Sequence, residues 1–129
     1  MTEFFSGPVD ELARALSETM AALYQRGWCD GTGGNFSCTV SHEPLWLLMA
    51  PSGVHKGAVR AKDLIVVDAD GRVIQGTGQA SAETRLHQTI VRERQAGAVL
   101  HTHSQAATLL SRHHAPEPGM DARHIVLEQ

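Results

Sequence analysis

Leu12, Leu16, Met20 and Leu23 recur at helical spacing and predict an amphipathic helix over Val9 to Arg26. Pro8 suits its first turn, Asp10 and Glu11 complement the positive end of the helix dipole, and Gly27 can end it. From Asn35 to Val40 the period shortens to two, which places Phe36, Cys38 and Val40 on one face of a strand. Leu45 to Ala50 is a short apolar run that fits a buried strand. Leu64 to Val67 is another, and Asp70-Gly71 is a hairpin turn before a third at Arg72 to Ile74. A second helix runs from about Ala82 to Arg94, with Ser81 as its cap and Leu86 and Ile90 as its buried stripe. Gly97 breaks it, Ala98 to His103 reads as a strand, and Ser104 to Arg112 as a short helix. A loop at Pro116 to Gly119 and a strand at His124 to Leu127 follow. Glycine-rich loops separate the elements at Cys29–Gly34, Pro51–Gly57 and Gly76–Ala80. Residues 1–129 read as one mixed α/β domain with much antiparallel pairing and no repeat.

Composition narrows the class. A hydrophobic share of 42% and a charged share of 19% describe a globular chain. A net charge of −3 without basic runs gives no electrostatic case for nucleic acid or acidic membranes, while small anionic substrates stay open. The N-terminus, MTEFFSGPVDEL, lacks the order of a signal peptide, and no apolar run could span a bilayer. The expected setting is the cytoplasm, with Cys29 and Cys38 as free thiols. The unusual number is eight histidines in 129 residues.

Of these, His101-Thr-His103 is the sharpest signal. Residues two apart on a strand share a face, roughly 6 to 7 Å apart at Cα. Two imidazoles can then bend toward one zinc ion at about 2.0 to 2.1 Å, although a zinc site needs at least one more protein ligand. The plain alternative is coincidence on a half-exposed strand. Thr32-Gly-Gly-Asn35 can converge backbone N–H groups on an anion, or can be an ordinary turn. Ser52-Gly53 lets a ligand approach the backbone, and Lys56 beside it is either a point charge for a phosphate or a solvated loop lysine. Glu83, behind Ser81-Ala82, either serves the helix dipole or, near a metal, acts as a general acid/base that His87 one turn later would buttress. His113-His114 reads as surface loop, His42, Trp46 and Met49 as loop or core, and Trp28 as a possible pocket cover.

Taken in order, Thr32-Gly-Gly-Asn-Phe-Ser37, Ser52-Gly53, Ser81-Ala-Glu83 and His101-Thr-His103 resemble the class II aldolase/adducin family over nearly the whole chain. The resemblance implies a three-layer α/β/α fold on a mostly antiparallel sheet. It implies a zinc ion (Zn2+) on His101 and His103 with a third histidine from later in the domain. It also implies a sugar-phosphate substrate whose phosphate is held by Thr32, Gly33, Gly34, Asn35, Ser52, Gly53, Lys56 and Ser81. Ser52-Gly-Val-His-Lys-Gly57, Ser81-Ala-Glu-Thr84 and Ala96 to Ser104 look most like the family's dehydratases, hydro-lyases acting on a ketose phosphate. A sugar-phosphate aldolase and a non-catalytic, adducin-like assembly module are the alternatives. In the aldolases the glutamate matching Glu83 is the catalytic acid/base; in the dehydratases that role falls to a glutamate after the His124–Leu127 strand. Several departures stand out. None of His113, His114 and His124 sits in the third zinc motif, and Glu128 is out of register with the dehydratase glutamate. Gly33 replaces a common serine and Ala80 a common proline. Family members extend further, so uncovered edges predict a homo-oligomer, in which another copy could complete the site.

Overall fold

A computed structural model describes residues 7–113. The first helix, α1, spans Pro8–Gln25, and Gly27 closes it in left-handed backbone at φ +75° with its N–H on the Tyr24 carbonyl. Strands β1 (Asn35–His42), β2 (Leu45–Met49), β3 (Ile65–Val67) and β4 (Val73–Gln75) form an antiparallel meander. Helix α2 (Thr84–Arg94) then carries the chain back across the sheet, so that β5 (Ala98–His101) pairs antiparallel with β1 at the opposite edge. The order is β4-β3-β2-β1-β5, and α3 (Gln105–His113) follows.

Both faces of the sheet are covered, which is why β2 and β3 are apolar throughout rather than alternating. Ala13, Leu16 and Met20 of α1 pack with Phe36, Cys38, Leu48 and Val66 on one side. Leu47, Met49, Ile65 and Val67 pack with Val91 of α2 on the other. The result is the three-layer α/β/α arrangement that the family resemblance implied, and every strand pairing among the described residues is antiparallel. The predicted face of β1 is also present, since Phe36, Cys38 and Val40 all belong to the α1-side core.

The opposite face of β1 was not anticipated. Asn35, Ser37 and Thr39 alternate with the apolar set and therefore point toward α2. Asn35 Nδ2 donates to Glu83 just before the helix, at 2.7 Å. Ser37 Oγ meets His87 Nδ1 in its middle, at 2.7 Å, and Thr39 Oγ1 donates to the Ala96 carbonyl beyond its end, at 2.7 Å. This polar rail corrects the expected stripe of α2. Leu86 is 50% exposed and Ile90 only partly buried, while Thr84, His87, Gln88 and Val91 are buried. A polar helix face can be buried here because its groups have partners: Thr84 Oγ1 donates to the Ser81 carbonyl and Gln88 Nε2 to that of Asp68.

Smaller corrections concern element ends. The second helix starts at Thr84, so Ser81 is not its cap; its Oγ accepts the Glu83 N–H in the turn that leads in. The helix ends on Gln95 in left-handed backbone, two residues before Gly97. The fifth strand stops at His101, leaving His103 outside it, and His113 closes α3 rather than lying in a loop. The Pro116–Gly119 loop, His114 and the His124–Leu127 strand fall outside the described residues. Cys29 and Cys38 are buried free thiols, and burial raises both above the usual thiol range, which makes them unreactive packing groups. No helix among the described residues is long and apolar enough to cross a membrane.

Gly34 and Gly71 both sit at positive φ, +82° and +81°, but only Gly34 is crowded. A Cβ there would lie 2.9 Å from the His101 carbonyl oxygen and 2.9 Å from the Phe36 ring, whereas one at Gly71 meets nothing within 4 Å. Gly71→Ala should therefore cost about 1 to 2 kcal/mol from backbone strain alone, and Gly34→Ala roughly 1 to 3 kcal/mol more from overpacking. Urea unfolding of both variants checks the ordering; equal losses would contradict it.

Candidate active site

The site lies where the start of β1, the turn before α2 and the end of β5 meet. Strand register places Asn35 opposite His101. Glu83 Oε2 joins them, accepting from Asn35 Nδ2 at 2.7 Å and lying 2.8 Å from His101 Nδ1. Ser81 Oγ donates to Asn35 Oδ1 at 2.7 Å, so the Asn35 amide is used at both ends inside the cluster. Sequence reasoning gave Asn35 and Ser81 to the phosphate; the geometry engages both in holding Glu83. The predicted partnership of His87 with Glu83 through its side chain is also corrected, because the His87 ring pairs with Ser37 instead.

His101 and His103 keep company although only one of them is in the strand. Their ring centroids are 4.7 Å apart with planes 31° from parallel. The His103 backbone is fixed by an N–H bond to the Trp28 carbonyl, and its ring lies 4.0 Å from where a Gly33 Cβ would stand. Burial pushes the His103 imidazole below its ordinary value, and the charges of His101 and Lys56 push the same way against Glu83. A neutral imidazole is the ligating form. With Glu83 on Nδ1, His101 presents Nε2, the carboxylate–histidine arrangement that orients metal ligands. The donor set thus fits part of a zinc site. Among the described residues no group of three or more His, Cys, Asp or Glu could hold a metal, so further ligands would have to come from elsewhere.

Lys56 is not a solvated loop lysine. It is 3% exposed, and its Nζ donates to the carbonyls of Thr32 at 3.1 Å and Val54 at 3.2 Å, tying two of the glycine-rich loops together. Burial lowers its pKa, with Cys29 opposing. The nest expected at Thr32–Asn35 is partly used internally, since the Gly33 N–H closes a turn on the Asp30 carbonyl. Thr32, Ser52 and Gly53 are exposed. Ser52 borders a cavity of about 570 Å3 lined also by Val54, His55, Val59 and Thr77, and its N–H bonds the Gln79 carbonyl of the loop leading to Ser81. Trp28 and Ser104 line a smaller cleft beside His103, and Arg26 lies 5.3 Å from the Trp28 ring centroid.

The family model for the class II aldolase and adducin N-terminal domain matches residues 14–127. The chain belongs to that family. Over 101 residues it is 42% identical to the methylthioribulose-1-phosphate dehydratase of Marinobacter nauticus and 48% identical to that of Methylococcus capsulatus. Each match covers 78% of this chain and 48% of the relative. The chain therefore spans about half the length of these curated relatives. Among solved structures it is similar to the L-fuculose-1-phosphate aldolase of Thermus thermophilus, with a TM-score of 0.67 and 28% identity over 81% of this chain and 52% of that one.

In this class II aldolase and adducin domain, the group that sequence reasoning missed is the Ser37–His87 pair. Its signal was present as the polar half of the β1 alternation and the fourth residue after Glu83. His87 is fully buried, its Nε2 has no partner among the described residues, and its pKa falls from 6.5 to about 4. Burial is the main cause, His101 adds to it, and Glu83 opposes. The unfolded chain takes up this proton near 6.5 and the folded chain only near 4. Stability from neutral His87 is thus intact above pH 6.5 and is lost as the pH falls from 6.5 to about 4. The loss is on the order of 3 kcal/mol. His87→Asn should flatten the pH dependence of unfolding in that window, leaving a residual slope from His103; an unaltered slope would contradict the assignment.

Proposed function

We propose that this domain carries the metal- and acid/base-bearing half of a methylthioribulose-1-phosphate dehydratase, a zinc-dependent hydro-lyase giving the 2,3-diketo-5-methylthiopentyl-1-phosphate. The observation that carries the reading is the single carboxylate oxygen of Glu83 shared by Asn35 and His101, next to His103. The 42% and 48% identity to two curated dehydratases supports dehydration as the reaction within the family. Methionine salvage is the setting that this substrate implies, and the cytoplasm the expected location.

His101 through Nε2 and His103 would hold zinc. Bound there, zinc would polarise the ketone and adjoining hydroxyl of the substrate and lower the cost of removing the proton beside the carbonyl. The family resemblance gives the acid/base role to Glu83 in the aldolases and to a later glutamate in the dehydratases. Beside the histidine pair of the described residues it is Glu83 Oε1, which neither hydrogen bond of Oε2 occupies, that would take that proton from the carbon next to the ketone. It would return the proton to the hydroxyl on the carbon beyond, which departs as water and leaves the enol tautomer of the diketone. The phosphate would lie on Thr32, Gly34, Ser52 and Gly53, facing the ammonium of Lys56, which has one more N–H than its two carbonyls use. Holding the phosphate away from the reacting carbons turns binding energy into orientation. The exposed Leu86, Leu100, Leu109 and Leu110 support association with another copy.

A sugar-phosphate aldolase is the second reading, favoured by the likeness to the Thermus enzyme and by the use of Glu83 as acid/base. Incubation of the zinc-loaded protein with methylthioribulose-1-phosphate separates the two. A diketone phosphate supports the dehydratase and a three-carbon phosphate fragment the aldolase. Glu83→Gln should lower turnover by about 100-fold or more in either case. Dehydration that survives Glu83→Gln would remove this residue from the chemistry.

A further inference from the structure

The Ser37–His87 hydrogen bond lies one rung along the polar rail from Asn35–Glu83. The two rungs match in geometry. Residues 35 and 37 share a strand face, and residues 83 and 87 lie one helical turn apart. His87 is also tied to Glu83 through the backbone, its N–H donating to the Glu83 carbonyl at 3.2 Å. Glu83 itself has no helical hydrogen bond from its own side chain, and the turn it occupies is only partly covered. Something other than the helix must set the height of its carboxylate above β1.

A packing role alone does not account for an imidazole at position 87. Its surroundings are fully buried, and one ring nitrogen goes without a partner among the described residues, which an apolar side chain of similar size would avoid. What the ring provides is Nδ1, at 2.7 Å from a buried hydroxyl on the strand that also carries Asn35. We propose that His87, through Ser37, is a positioning residue that fixes the register of α2 on β1 and thereby holds the Glu83 carboxylate on His101 Nδ1. The proposal rests on Glu83 being the working carboxylate of the site. It adds the device that keeps Glu83 there, and it concerns the protein before metal or substrate binds.

Long-range 1H–15N spectra of the imidazole rings test this on the metal-free chain near pH 8, where histidines are neutral. In the wild type, His101 should be held as the Nδ1–H tautomer by Glu83, and Glu83→Ala should release it to the Nε2–H form that free imidazoles favour. Ser37→Ala and His87→Phe should cause the same release while circular dichroism shows the fold retained. His87→Asn, whose amide can stand where Nδ1 stands, should keep the Nδ1–H form. A residue that merely fills the core would lower the melting temperature in these variants and leave the His101 tautomer alone, and that result overturns the proposal. A wild-type His101 without the Nδ1–H form overturns it at the first step. Should His87→Phe not fold, Ser37→Ala set against His87→Asn decides. Neither zinc nor turnover enters the readout, so a failed dehydratase assay and a failed positioning role remain distinguishable.

Discussion

One strand with two chemically different faces organises this domain. The apolar residues of β1 join it to α1, as in any layered α/β fold, but its other face holds α2 and the turns at both its ends through side-chain hydrogen bonds at Asn35, Ser37 and Thr39. Hydrogen bonds are directional where apolar contact is not, so a helix held in this way has little freedom to slide or turn. That restraint matters because Glu83 lies in the turn that enters the helix. Its position is inherited from the rail.

The same strand sets the histidines. Antiparallel pairing puts His101 opposite Asn35, and the close approach of Gly34 to the His101 carbonyl leaves no room for a side chain between them. Beyond the end of β5 the chain turns, and the Trp28 carbonyl catches the His103 N–H, returning the second imidazole to the first. Lys56 then joins the Thr32 and Val54 loops. A buried cation with two carbonyl partners rigidifies both loops, and its charge reaches His103. Scaffold and site are therefore built from the same short set of contacts, most of them within a residue or two of β1.

Much of this was legible in the sequence. Helical spacing gave α1 its extent within a residue, the Asp70-Gly71 turn gave the hairpin, and apolar runs gave β2 and β3, because in these segments burial and hydrophobicity coincide. The failures share a cause. Where burial is achieved by hydrogen bonding, hydrophobicity points to the wrong face: Leu86 is exposed, while Thr84, His87 and Gln88 are buried. Likewise Asn35 and Lys56 were marked as functional by their chemistry, but spacing could not show that their donors are largely spent within the protein. The rings of His101 and His103 stand together although the strand expected to align both ends at the first of them, which residue spacing alone does not show.

The proposed function requires His101 and His103 to act as one metal-binding unit aimed by Glu83. Equilibrium dialysis of the purified chain against zinc, with His101→Ala and His103→Ala in parallel, tests this most directly. Near one zinc per chain in the wild type, lost in both variants, is the predicted result. A wild type that takes up no zinc, or zinc that persists after either histidine is removed, would contradict it.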